Sequence, residues 1–557
     1  MVATLNTPTT KIDSTSVWDG ARRLTAYADP WTTPPEAFYD LYDLLPRLCA
    51  PDAHLQMEGR RGTGKTVLMV NSYLALHRQF EEAKGSPPYT VAVYVDLSQD
   101  VGAPRDQLPV VRAYLLYQQI LQLILTASLR PGHRRDRRFW GLQDYLDDRP
   151  HWFRRMYGRF RIDRYRHFAS HLVEAINQDS SYQHVLQTMR GDGDGRSLDF
   201  TFRKAHSVTP RGHVMAPIHP HAHALPSLVF ENRLLSVYRR FGAQTSELLE
   251  AVLDALQIKH LLLFVDEWSG PSIGSATQPY LYEQLAHAFP HEGRVVLRLA
   301  TLPGATKLTF DSSTTHVPTV HLDQLASFSP NWMRRRLLRM LISNLAVALG
   351  DRFPRGLYLA AEEEQQGYPR FLHDVFEDRE AADELSRASE SLPRQMLIQF
   401  MAAVQLRSVN GSTRRITAGH VRMAAGEHFA SQLAVTIRQD PIVSAVFDAI
   451  LRAGCRVVDV ERVPRFFEAL DWLANEGVLF RVDAEPSLDT TLVDDFLRYK
   501  LSYPAEVYRL AIAGRSVSRS PATYYTLNVD NVNYPERYPR TPKVMLSELA
   551  AELFDDV

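Results

Sequence analysis

The segment Gly59-Arg60-Arg61-Gly62-Thr63-Gly64-Lys65-Thr66 constrains this chain more than any other. It fits the pattern G-x-x-x-x-G-K-[ST], in which glycines let the backbone curl until successive N–H groups face one point. Ala53 to Met57 ahead of it suits a short strand, and Val67 to Arg78 behind it suits a helix. A helix N-terminus adds partial positive charge, so strand, loop and helix together predict a site for the phosphates of a nucleotide. In that site Lys65 reaches the β- and γ-phosphates and Thr66 holds Mg²⁺. The bland alternative is a Gly-rich turn with a surface lysine; the strand before it and the helix after it favour the nucleotide.

A second signature follows downstream. Leu261 to Glu267 reads LLLFVDE, an apolar run ending in two acids. At the end of a buried strand, Asp266 can enter the shell of a bound Mg²⁺ and Glu267 can polarise an attacking water. Asp266 lies some two hundred residues beyond Thr66, more than a compact core needs, so the intervening stretch includes an insertion. Tyr89 to Leu97 and Val295 to Thr301 are further apolar, β-branched runs suited to a buried parallel sheet. Thr301 either orients the water or senses the γ-phosphate, or it is a strand-end turn into Leu302-Pro303-Gly304. Pro109 to Leu129 is a long apolar helix, and strands alternating with helices predict an α/β sandwich. Upstream, Pro34-Pro35-Glu36 opens a predicted helix with Phe38, Leu41, Tyr42 and Leu45 on one face. That segment either packs on the core or covers an adenine ring, with Trp31 beside it.

Within the insertion, Arg130 to Arg166 holds about twelve arginines, no lysine and about five acids, with Phe139, Trp140, Tyr145, Trp152, Phe153, Tyr157, Phe160 and Tyr165 interleaved. Arg among aromatics suits phosphate contact with base stacking. An amphipathic helix pair, or a surface for a protein partner, fits the same pattern. Net charge over all 557 residues is −1, so attraction to nucleic acid must come from such a local patch. His219, His221 and His223 alternate in a proline-rich stretch with no Cys or carboxylate among them, which favours a surface loop over a metal site. Two cysteines, Cys49 and Cys455, argue for a reducing, cytoplasmic setting. No apolar run approaches membrane-spanning length, and residues 1–16 read as a disordered tail without a signal peptide's apolar core.

Beyond the second signature the chain becomes helical. Asn331 to Leu349 carries Arg334, Arg335, Arg336 and Arg339, and 357–430 reads as helical throughout. Ser389-Glu390-Ser391-Leu392-Pro393-Arg394 marks a helix start from which Arg394 can lean over phosphates; Tyr368-Pro369-Arg370 competes for that role. Thr417 to Phe429 is a further helix. From 441 onward the pattern is a helix capped by Asp440-Pro441 and running through Leu451, a helix from Arg465 to Asn475, Gly477, then a strand from Val478 to Val482. That succession is of the winged-helix kind. A Tyr- and Pro-rich tail follows and ends in an acidic helix from Leu546 to Val557.

Together GRRGTGKT, LLLFVDEW, the strand ending at Thr301, ASESLPR and ITAGHVRMAA resemble the AAA+ ATPases, most of all the origin-recognition clade and its bacterial relatives. The resemblance covers roughly 24–130 and 230–430. It implies an α/β P-loop NTPase: a three-layer sandwich with a parallel sheet, an inserted Arg-rich region, a helical lid and a C-terminal winged-helix-like domain. The expected boundaries are a tail at 1–16, core at 17–129 and 226–325, insertion at 130–225, lid at 326–435 and C-terminal domain at 436–557. By resemblance Gly59, Arg60, Arg61, Gly62, Thr63, Gly64, Lys65, Thr66 and Asp266 bind ATP, with Thr66 and Asp266 on Mg²⁺. Glu267, Thr301 and Arg394 serve hydrolysis as Walker B acid, sensor 1 and sensor 2. The implied function is ATP hydrolysis that drives a conformational or oligomeric change on DNA, with a second copy or another protein as partner. One departure bears on this. Leu302 to Val317, where the family often places a trans-acting arginine, has Lys307 as its only cation, with Arg334 to Arg336 the next candidates. An ATP-gated signalling switch of the STAND kind, with protein partners and little hydrolysis, therefore remains an alternative, as does a nucleotide-stabilised scaffold.

Overall fold

A computed structural model describes residues 38–83, 89–98, 109–125, 367–410, 415–481, 496–513 and 542–554, most of 245–303 and 317–350, and a few isolated positions. The 1–16 tail, Lys307, the histidines at 219–223 and nearly all of the Arg-rich stretch lie outside the described residues. The chain divides into two compact units. One comprises Leu44–Glu58 and Thr66–Val320; the other comprises the residues up to Asp43, the Gly59–Lys65 loop and His321 onward.

In the first unit a short helix α1 (Leu45–Cys49) leads into β1 (Leu55–Glu58), and helix α2 (Lys65–Glu82) follows the glycine loop. Leu68, Met69, Ser72, Tyr73, Leu76 and Phe80 recur at three- and four-residue steps and are buried, which makes this one amphipathic helix rather than the shorter stretch expected. Then come β2 (Tyr89–Asp96), α3 (Pro109–Leu125), β3 (Ile258–Asp266), α4 (Gln278–Ala288), β4 (Val295–Thr301) and β5 (Thr319–His321). The sheet runs β2-β3-β4-β1-β5, and the β2–β3, β3–β4 and β1–β4 pairs are all parallel. Parallel strands are covered on both faces, which is why β3 and β4 are buried almost end to end. Helices α3 and α4 pack on each other over this sheet.

The helix expected to open at Pro34 is not formed over Phe38 to Leu44, the part that lies within the described residues. Phe38–Asp40 has no regular structure and Leu41–Asp43 is a turn. Asp43 sits at φ 55° and the Asp40 carboxylate accepts from Tyr42 N–H. Pro46 fits only the first turn of a helix, so α1 begins at Leu45. Leu41 and Tyr42 are nevertheless buried, so their apolar spacing reported packing and not a helix.

The second unit holds α5 (Pro330–Leu349), α6 (Gly367–Val375), α7 (Arg379–Ala388), α8 (Pro393–Asn410), α9 (Ala418–His428), a π turn at Phe429–Leu433 and α10 (Ala434–Gln439). Thr417 caps α9, and Asp440 caps α11 (Pro441–Arg452) by accepting from Ile442 and Val443 N–H. Beyond them lie β6 (Val457–Glu461), a 3₁₀ turn at Pro464–Phe466, α12 (Phe467–Asn475), β7 (Leu479–Arg481), β8 (Phe496–Leu501), α13 (Tyr503–Ile512), β9 (Lys543–Val544) and α14 (Leu546–Phe554). A strand therefore separates the two C-terminal helices, where helix followed directly by helix was expected. The sheet order is β7-β8-β6-β9, antiparallel except for β6–β9. Polar contacts join α7, α9 and α13: the fully buried Glu384 accepts from Arg387 (2.9 Å), Arg422 (2.7 Å) and the Tyr503 hydroxyl.

Candidate nucleotide site

Between β1 and α2 the loop turns back on itself. Thr63 N–H and hydroxyl both donate to Arg60 O, at 3.3 and 2.9 Å. Gly62 and Gly64 adopt φ of 88° and 94°, the left-handed region that only glycine enters at little cost. A Cβ on Gly59 would stand 2.8 Å from the Thr63 hydroxyl, so that glycine is required by close approach. The Tyr42 hydroxyl donates to Thr63 O at 3.1 Å from beneath, and burial raises its phenol pKa, so it stays a donor. The Lys65 ammonium folds across the loop, donating to Arg60 O at 3.0 Å and to Gly59 O. Arg60 N–H and Nε donate to the two oxygens of Asp323, at 3.0 and 2.8 Å. Arg394, in the first turn of α8, has its N–H 3.4 Å from Gly62 O. Arg334 and Arg336 of α5 are ion-paired with Asp383 and Asp43.

The other expected residues lie at the carboxyl ends of the sheet strands in the first unit. Asp96 pairs with Asp266 in register, and Glu58 pairs with Thr301. Asp266, 3% exposed, is held by both oxygens: Oδ2 accepts from the Tyr94 hydroxyl at 2.6 Å and Oδ1 from Glu267 N–H at 2.9 Å. Burial and then Asp266 raise the Tyr94 pKa well above its ordinary value, so the phenol keeps its proton. Glu267 takes φ 57°, a strained conformation for a residue with a side chain, and Gly270 N–H caps its carbonyl at 2.9 Å. The next residue, Trp268, is fully buried edge-on to Tyr282 and anchors the turn. Ser269 ties the turn after β3 to the turn after β4 by accepting from Leu302 N–H at 3.0 Å. Thr301, 1% exposed, accepts from the Gln56 amide at 3.0 Å, and Gln56 in turn accepts from Thr319 at 3.1 Å.

Sequence reasoning missed Tyr94, Gln56 and Asp323. Each acts through a partner far along the chain, 172 residues away for Tyr94 and 263 for Asp323. Only the place of Tyr94 within a strand buried almost throughout hinted that its hydroxyl needed an acceptor.

Glycine loop, following helix and parallel sheet define an α/β fold of the P-loop type. No protein-family model matches the chain, and no curated protein matches it. Among solved structures it is similar to Drosophila ORC bound to DNA, at 13% identity and a TM-score of 0.31, over 92% of this chain and 95% of that one. It is also similar to the Aeropyrum pernix ORC2 protein in ADPNP and ADP complexes, at 12% identity and a TM-score of 0.26, over 89% of this chain and 92% of that one. Among the described residues no helix is long and apolar enough to cross a membrane; Cys49 and Cys455 form no disulfide, and the Cys49 thiol donates to Ser72 O at 3.7 Å.

Proposed function

We propose that this protein binds ATP with Mg²⁺ at Gly59–Thr66 and hydrolyses it, as an AAA+ ATPase. The observation that carries the reading is the loop itself: two left-handed glycines, a lysine drawn over the loop carbonyls, and a helix N-terminus immediately after. The first N–H groups of α2 have no acceptor within the helix, and a phosphate fits that need. Lys65 neutralises charge on the β- and γ-phosphates. The Thr66 hydroxyl and the Asp266 carboxylate are the residues that hold Mg²⁺, which when bound neutralises charge developing on the phosphate oxygens. Tyr94 keeps Asp266 oriented. Glu267 accepts a hydrogen bond from the attacking water and takes its proton, Thr301 orients that water, and Arg394 offsets charge on the γ-phosphate.

The α11–β6–α12–β7–β8 succession supports a winged-helix-like reading of 436–557, with 326–435 as the lid and duplex DNA as the partner. A second reading, an ATP-gated switch with slow turnover and protein partners, is favoured by the lack of arginine in Leu302 to Val317. Glu267→Gln separates binding from chemistry. The variant should bind ATP as well as wild type and hydrolyse it about a hundredfold more slowly or worse. Near-wild-type turnover would remove Glu267 as the base. Stimulation of the wild-type rate by duplex DNA supports the first reading; ATP-driven assembly indifferent to DNA supports the second.

A further inference from the structure

The variable residues of the glycine loop are engaged by the C-terminal sheet of their own unit. The Arg60 guanidinium lies 3.7 Å from the centroid of the Phe480 ring, on β7, while its Nε holds Asp323. Its side chain is only 12% exposed, so ring and carboxylate replace water around the charge. Arg61 reaches Glu476, at the end of α12, at 2.5 Å. That pair is half-exposed and contributes little energy by itself, but it fixes direction.

From Phe480 the contacts return to the loop by a second route. Phe480 pairs with Lys500 of β8, whose ammonium lies 5.2 Å from the same ring and donates to Glu390 at 3.1 Å. Glu390 also accepts from Arg456 at 2.8 Å and from Tyr503 N–H at 2.6 Å. It occupies the turn before α8, where Glu390 and Ser391 both adopt left-handed φ of 49° and 61°. Arg394, four residues on, meets Gly62 O. Loop, β7, β8, the turn before α8 and the loop again thus form a closed ring of contacts. Its charges are Arg60, Arg61, Lys500 and Arg456 against Asp323, Glu390 and Glu476, one cation in excess. Burial alone would raise the Glu390 carboxyl, but Lys500 and Arg456 outweigh it and hold the group ionised; burial brings Lys500 down to about 8.

We propose that Phe480, Asp323 and Glu476 are positioning residues of the phosphate loop, so that nucleotide at the loop and the conformation of β7 are coupled. The proposal rests on the nucleotide reading above. Coupling of this kind is reciprocal: whatever loosens β7 weakens nucleotide binding, and nucleotide stiffens β7. An anionic ligand at the loop meets the unbalanced positive charge of the ring, which gives the bound state its differential interaction with the two conformations.

The test uses the full chain, a fluorescent ATP analogue with Mg²⁺, and hydrogen exchange of residues 477–481 with and without ATP. Wild type should bind the analogue and gain protection at 477–481. Phe480→Ala should bind about tenfold more weakly, the loss expected for one desolvated cation–ring contact, and should lose the ATP-dependent protection. Phe480→Tyr, which keeps the ring, should restore both. Asp323→Asn loosens Arg60 with β7 and its ring intact, and at saturating analogue it should also lose the ATP-dependent protection; this arm decides the matter if Phe480→Ala fails to fold. Wild-type binding with unchanged exchange at 477–481, or binding by Phe480→Ala equal to wild type, would overturn the coupling and leave the nucleotide reading standing. A wild-type chain that does not bind the analogue would overturn both.

Discussion

Tyr94→Phe removes a single hydroxyl from the sheet and leaves the ring in place. The hydroxyl donates at 2.6 Å to a carboxylate that is 3% exposed, so no water stands ready to replace it. A hydrogen bond to a charged group contributes about 1.5–3 kcal/mol, against about 0.5–1.5 for an ordinary one. Burial of Asp266 puts the loss in the upper part of that range, about 2–3 kcal/mol. No cavity larger than an oxygen is made, so packing adds little. Asp266 keeps the bond from Glu267 N–H, and its strand should hold its register. The raised pKa of Tyr94 keeps the phenol protonated throughout the ordinary range, so the loss should not vary between pH 6 and pH 9. Urea titration followed by hydrogen exchange in β2 and β3 reads the stability. The Mg²⁺ concentration needed for half-maximal ATP binding reads the orientation of Asp266 and should rise severalfold. A variant within about 0.5 kcal/mol of wild type, the spread of a neutral substitution, and with unchanged Mg²⁺ demand would refute the reasoning.

Two further outcomes follow from buried polar groups. Arg298 in β4, 1% exposed, donates to Leu48 O at 2.9 Å and also to Ala50 O and Ala53 O, so it caps α1 and fixes the approach to β1. Arg298→Met should destabilise that unit by roughly 3 kcal/mol, about one for each carbonyl left without its donor, measured by the same exchange method; a loss below about 1 kcal/mol would show that water replaces the guanidinium. Burial holds His260, His420 and His428 below their ordinary 6.5, His420 with help from Arg407 and His260 with help from Lys259 and Arg294. Their contribution is complete above pH 6.5 and is lost as pH falls through the lower folded values, because the unfolded chain takes up protons first. Melting temperature should therefore drop as pH falls below 6.5, and a flat profile from pH 7 to 5 would contradict the burial.

The parts legible in the sequence are those whose physics is local. Strands β3 and β4 appear as unbroken apolar runs because a parallel sheet buries both their faces. The loop is legible because its glycines and lysine answer to one backbone shape. The helix expected to open at Pro34 failed over 38–44 because apolar spacing alone cannot show that Asp43 turns left-handed and that Pro46 delays the start of α1. Strand β8, FLRYKL, was missed because Arg498 and Lys500 look like solvent-facing charges until Asp459 and Glu390 are found beside them. Arg298 within VVLRLAT did not hide its strand, but its carbonyl partners lie some 250 residues earlier. The strained φ of Glu267 has no sequence signature at all, although it sets the direction of the expected base.

Binding of Mg²⁺-ATP to wild type and to Lys65→Ala, measured by titration calorimetry on the full chain, tests the central claim most directly. The lysine supplies the charge facing the β- and γ-phosphates; alanine removes that charge together with the ammonium's bonds to Arg60 O and Gly59 O, and leaves the glycines in place. Wild type should bind with a clear saturable heat, and Lys65→Ala should show no stable binding under the same conditions. Equal affinity in the two proteins, or no binding by wild type, would contradict the assignment of Gly59–Thr66 as a nucleotide site.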